Sequence, residues 1–280
     1  MLNILNYEER FFMSNEVATK AAGALALPAD VLAALAGEAK DAAAKERPSL
    51  GRFSLRSGIL AYNGNELPNN KTEAVVLAAA YRRVWYAGSF DPDNLVSPNC
   101  FSFDENDEDM VPSENVTDPP SKTCKDCPKN QWGTATKQDG SKSRGKACKE
   151  TRRLVLMPAA AVDKGAEEVL KAELGVLDLP VTSAGNYSNF VNVLAASANV
   201  PPHAAIAEVH VVADRKTQFQ VKMTPMRVLP TLDVLEAVKK RREEALRIVL
   251  EPYAESAAPV DSKDQVVPEA QRASAKAKKF

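Results

Sequence analysis

All four cysteines of the chain fall within about fifty residues, at Cys100, Cys124, Cys127 and Cys148. Cys124-Lys-Asp-Cys127 is a Cys-x-x-Cys pair, and another cysteine follows some twenty residues later, which is the spacing of a structural zinc site. Two residues between thiolates form a tight knuckle whose ends reach one tetrahedral ion, and Cys100 and Cys148 would complete a four-sulfur shell. Two disulfides are the rival arrangement. The chain opens MLNILNYEERFFMSNEV, with no charged segment leading into an apolar one, so export is not expected and the thiols should stay reduced. The expectation is therefore structural Zn²⁺ held by Cys100, Cys124, Cys127 and Cys148. A shell closed by four cysteines leaves no open position for a water, so this zinc would not be catalytic.

Charge around the cysteines is segregated. From Phe90 to Pro120 there are nine acidic residues and no basic one, whereas from Ser121 to Arg153 ten basic residues face three acidic ones. Part of the positive charge would stabilise thiolates, and the remainder is able to meet phosphates. Aromatic residues interleave with it. Trp85, Tyr86 and Trp132 lie close in sequence to Arg82, Arg83, Lys146, Lys149, Arg152 and Arg153. A cationic groove with aromatic faces is what sequence-independent binding of single strands requires, and these nine residues are the candidate nucleic-acid contacts. A buried core position is the competing reading for Trp85. Arg152 and Arg153 enter a strand, so they point to opposite faces and only one can line a given groove.

Other chemistry is thinly represented. The acidic run Asp104–Asp109 lacks the spaced ligands, central glycine and terminal glutamate of a calcium loop and reads as solvated. The two histidines, His203 and His210, follow two prolines and sit in a strand pattern respectively, which suits structural roles. No phosphate loop, nucleophile elbow or His-Glu-x-x-His occurs, and an enzyme is not expected. Nor does any apolar run reach the roughly 20 residues of a membrane span.

The elements that must position these residues follow from periodicity. Residues 1–48 form an alanine- and leucine-rich helical appendage, with a helix expected after Asp30. Strands are expected at Arg52–Arg56, Gly58–Tyr62 before an Asn-Gly turn, Glu73–Tyr86, Arg152–Met157, Ile206–Val212 and Thr217–Met223, with a helix at Ser188–Asn199. The cysteine loop, about 88–150, is too polar to fold by burial alone. An amphipathic helix spans Leu232–Leu250 within 229–253, and 254–280 reads as a disordered tail. Together these give an α+β chain whose 49–228 core is a small OB-like β-barrel carrying the four-cysteine zinc loop, with flanking helices. The helix from Leu232 would pack on the barrel or mediate homo-oligomerisation.

One resemblance sharpens this picture. Val84-Trp-Tyr-Ala-Gly-Ser-Phe-Asp-Pro-Asp, Ser97-Pro-Asn-Cys-Phe-Ser, Cys124-Lys-Asp-Cys-Pro-Lys-Asn-Gln-Trp-Gly and Gly145-Lys-Ala-Cys-Lys-Glu-Thr-Arg-Arg-Leu, in that order after Arg52-Phe-Ser-Leu-Arg, resemble a family of tailed-phage proteins. Some of that family look like single-stranded DNA-binding proteins of phage replication and recombination. The resemblance covers roughly residues 50 to 225, with Thr134 where the family pattern has Ser and an acidic stretch after Phe103 where it has a Gly-containing loop. It implies a cytoplasmic protein of the infected host that binds single-stranded DNA and works beside replication or recombination proteins. The chain ends Lys276-Ala-Lys-Lys-Phe280, with a basic tip where bacterial single-strand binding proteins carry an acidic one, so partner recruitment by that route is not expected. A zinc-stabilised interaction or regulatory protein, binding a phage or host protein, is the alternative.

Overall fold

A computed structural model describes residues 50–88, 97–137 and 140–253, with isolated positions between 28 and 38. Contacts divide the chain after Ser49. In the first unit the described positions Val31, Ala34, Leu35, Gly37 and Glu38 are helical and exposed, in keeping with a helix after Asp30. The expected tail lies outside the described residues.

The second unit is built on one long strand. Lys71–Trp85 (β4) carries an unbroken run of Ala, Val and Leu, as a strand covered on both faces should. It pairs antiparallel with Lys149–Pro158 (β6) along one edge. Along its other edge it pairs first with Ala205–Asp214 (β8) and then with Cys100–Asp104 (β5). Gln218–Val228 (β9) closes a hairpin with β8, and Gly175–Asp178 (β7) lies beside β6. Gly51–Ser54 (β1) runs parallel to β7 and continues through Ala61–Tyr62 (β2) and Asn65–Glu66 (β3), joined by the Asn63-Gly64 turn. The sheet order is β3-β2-β1-β7-β6-β4-β8-β9, with β5 on β4. This is nine strands where periodicity gives five or six.

Two cores flank the sheet. On one face Val75, Leu77, Val155 and Met157 pack against Ala159–Lys164 (α1), Ala166–Lys171 (α2) and Leu232–Leu250 (α4), whose Val234, Val238 and Val249 are buried. On the other, Val76, Leu154, Leu156 and Leu177 pack against Ala184–Ala198 (α3), which inserts Phe190 and Leu194. The sheet curls around this second core. Leu60, beside β2, is in the same cluster as Val211 and Val221 of β8 and β9. A side chain at Gly58 would come within 3.3 Å of the Phe219 Cβ. The result is a mixed α+β fold with a half-barrel sheet. The helix from Leu232 packs on the sheet, one of the two placements open to it. Among the described residues no helix is long and apolar enough to cross a membrane.

Candidate functional site

The distal half of β4 determines what meets what. Its register sets Trp85 opposite Cys100 and Arg83 opposite both Ser102 and Glu150, while Val84 faces Lys149. Alternate residues share a face, so Arg83, Trp85, Cys100, Ser102, Glu150 and Cys148 converge on one side of the sheet end. The Cys124–Cys127 knuckle folds onto that side. Its backbone is fixed by Cys124 N–H donating to the Met110 carbonyl at 2.9 Å, and by Cys148 N–H donating to the Lys129 carbonyl at 2.8 Å. Asn130, itself buried, bridges the knuckle. Its N–H donates to the Cys127 carbonyl at 2.9 Å and its Nδ2 to the Cys124 carbonyl at 2.8 Å.

All four thiols therefore line one pocket, together with Arg83, Trp85 and Lys129. No disulfide joins them. Burial pushes the Cys100 and Cys148 thiols up to about 12, and the neighbouring cysteines add to the rise. Burial also raises Cys124, opposed by the charge of Arg83. Such thiols stay protonated unless a cation compensates their charge, which is what a metal does. As they stand, no three His, Cys, Asp or Glu side chains among the described residues are close enough to hold an ion. The donor set suits zinc in type and number, and a shell would require the four sulfurs to draw together.

Beyond the knuckle, Trp132 and Gly133 open a small hairpin. Gly133, with φ of 81°, bonds back to the Arg144 and Gly145 carbonyls. Thr134 pins its base, its hydroxyl donating to the Gln131 carbonyl at 2.6 Å and accepting from Ala147 N–H at 3.0 Å. A serine at this position supplies the same hydroxyl. Trp132 is 77 % exposed. The Lys146 ammonium lies 5.5 Å from its ring centroid and also donates to Asn130 Oδ1 at 3.2 Å. Lys149 is exposed and donates to the Lys146 carbonyl at 2.9 Å. Trp85 is half-buried, with the Lys129 ammonium 4.7 Å from its ring.

The arginines divide by face. Arg152 is half-buried with its guanidinium 3.3 Å from the Tyr81 ring, on the same side as the cysteines. Arg153 turns to the opposite side and is buried there. Its Nε is 3.0 Å from Asp178, its Nη1 donates to the Glu251 carbonyl, and its guanidinium covers the Phe103 ring at 3.9 Å. Arg82 joins that cluster, 3.7 Å from Asp178, and donates to the Tyr253 hydroxyl at 2.8 Å. Tyr86 is exposed, and its hydroxyl is raised by burial and by Tyr253. Arg83 is buried and ion-paired to Glu150. Of the nine candidate contacts, Trp132, Lys146, Lys149, Arg152 and the two β4-end aromatics retain accessible surface. Arg82, Arg83 and Arg153 are engaged inside the protein.

Sequence reasoning missed Asp178, Glu150 and Tyr253, the partners that claim these arginines. Asp178 is 25 residues from Arg153 and Tyr253 is 171 from Arg82, and no local pattern links either pair. The acidic loop turns on itself, Asp104 Oδ1 accepting from Asn106 N–H at 2.9 Å, and Asp107, Glu108 and Asp109 share a cleft with Arg83 and Lys125. No protein-family model, characterised protein or solved structure matches the chain.

Proposed function

We propose that this chain is a single-stranded DNA-binding protein of phage replication and recombination, acting in the host cytoplasm. Its strand contacts are Trp132, Lys146, Lys149, Trp85, Tyr86 and Arg152. The curled sheet serves as an OB-like platform, and Zn²⁺ on Cys100, Cys124, Cys127 and Cys148 holds the loop that carries Trp132. One observation carries the reading. A tryptophan with most of its surface in water, flanked by an ammonium over its ring and set in a lysine-rich hairpin, is a stacking face with adjacent phosphate contacts.

The test is an anisotropy titration of labelled oligo-dT at two salt concentrations, with zinc content read on the same preparation. Sub-micromolar binding that exceeds duplex binding and weakens steeply with salt is expected, because each phosphate contact releases condensed counterions. A preparation holding about one zinc per chain that binds no oligo-dT would refute strand binding. The exposed face around Trp132 would then be a protein-docking surface, the interaction role that the same loop would equally serve.

A further inference from the structure

Arg83 has a position that strand binding does not use. It is 7 % exposed, and its guanidinium is ion-paired through Nη2 to Glu150 at 3.2 Å. Its charge is felt by the Cys124 thiol, and among the described residues its Nε and Nη1 have no acceptor in hydrogen-bond geometry. An arginine cannot shed its proton to relieve this, so two buried donors without acceptors carry a lasting desolvation cost. The groups around them are sulfurs, for Arg83 lines the pocket formed by Cys100, Cys124, Cys127 and Cys148. Strand register explains why, since Arg83 faces Ser102 two residues from Cys100 and Glu150 two residues from Cys148. Neutral thiols are weak acceptors, whereas thiolates accept charge-assisted hydrogen bonds.

We infer that Arg83 is a positioning residue for the cysteine centre, its free N–H groups donating to the sulfurs once these are thiolates and its charge offsetting part of theirs. The inference rests on the zinc reading above. Loading is balanced as four thiols plus Zn²⁺ giving a tetrathiolate of formal charge −2 and four protons released to solvent. Arg83, ion-paired to Glu150, sets one positive charge beside that centre. Glu150 occupies one arm of the fork and leaves the other donors for sulfur.

The experiment uses the full chain. Zinc affinity is measured against a chromophoric chelator, and Co²⁺ replaces zinc for absorption spectra, in wild type, Arg83→Met, Arg83→Lys and Glu150→Gln. Arg83→Met should weaken zinc about ten- to hundredfold, as loss of an outer hydrogen bond does. It should also move the sulfur-to-cobalt charge-transfer band to lower energy, because a thiolate without hydrogen bonds gives up charge more readily. Arg83→Lys should show both effects in part, and it keeps the test available if Arg83→Met fails to fold. Glu150→Gln should leave affinity unchanged or tighter. A band and affinity identical to wild type in the Arg83 variants would overturn the inference alone. An equal loss in Glu150→Gln would also overturn it, showing that the pair is only a clasp. Wild type that binds neither metal removes the zinc reading, and the inference with it.

Discussion

The two tryptophans, one closing β4 and one in the cysteine loop, have opposite circumstances. Trp85 is held by strand register opposite Cys100, with Lys129 over its ring, so most of its surface already has protein neighbours. Trp132 has water on most sides. Substituting Trp132 should therefore separate binding from stability. Trp132→Ala is expected to lose about 1–3 kcal/mol of oligo-dT affinity, the contribution of one stacked base. Its thermal unfolding should stay close to wild type, since exposed substitutions usually change stability by less than about 0.5 kcal/mol. Anisotropy and calorimetry on the same variant check both. Equal binding by the variant would dismiss the ring as a stacking face. The neighbouring arginines would make poor probes of binding. Arg153 and Arg82 meet Asp178, and their rings and carbonyl partners come from β5 and the end of α4. Removing either leaves a half-buried carboxylate short of a partner, and any binding defect would be confounded by lost stability.

Elements impose such fates through contacts that sequence order hides. Consider the turn Pro202–Ala204, which leads into β8 and lies under α4. Burial lowers the pKa of His203, and the positive charges of Arg242 and Lys239 on α4 lower it further. The unfolded chain, with an ordinary pKa near 6.5, takes up a proton before the folded one does. Stability from this group is thus complete above 6.5 and is lost as pH falls from there through the lower folded-state pKa. Urea unfolding at about pH 7 and about pH 5 should show a smaller acid loss in His203→Gln than in wild type. An unchanged acid loss would place the sensitivity elsewhere. Neither α4 residue is near His203 in sequence, but both elements were readable. The spacing of apolar residues gives Leu232–Leu250 as helix, and the apolar run at 73–86 gives β4. The β8–β9 hairpin and the helix before Pro201 were legible for the same reason. What escaped was short or atypical. β7 is four residues, Gly-Val-Leu-Asp, and pairs parallel with β1 over 124 residues of chain. β5 runs into the acidic loop, and α1 and α2 are six residues each, broken by Gly165 at φ 102°. The cysteines were legible from spacing. Arg83 was not, because only register reveals that it faces them.

At the scale of the molecule, the sheet and the cysteine loop differ in how much apolar side-chain surface they bury. Neither large core includes a residue from 97–148. The loop and β5 add a small cluster, Cys100, Phe101 and Val116 around Val84 of β4, against which Trp85, Phe103 and Tyr253 pack, and bury Met110 besides. That burial offsets only part of the segment's conformational entropy, which is about 1–2 kcal/mol per residue. Loop hydrogen bonds supply a further part. On the proposed zinc reading metal coordination supplies the rest, so that binding free energy is folding free energy for the loop. Removing zinc should accordingly act locally. After chelation, limited trypsin digestion should cut at lysines of the loop such as Lys125, Lys137 and Lys142, while the β-sheet signal in circular dichroism and the main unfolding transition persist. Oligo-dT affinity should fall in the same sample, because Trp132 lies two residues after Asn130, whose N–H donates to the Cys127 carbonyl, and Lys146 donates to Asn130 Oδ1. Restoring zinc should recover both protection and binding. If the chelated protein instead keeps its loop protected and its affinity intact, the hydrogen bonds of Asn130 and Thr134 suffice to hold the hairpin, and the cysteines have some other use. Loss of the main transition on chelation would show a different coupling, with the small cluster around Phe101 and Tyr253 tying the loop to the sheet tightly enough for the two to unfold as one.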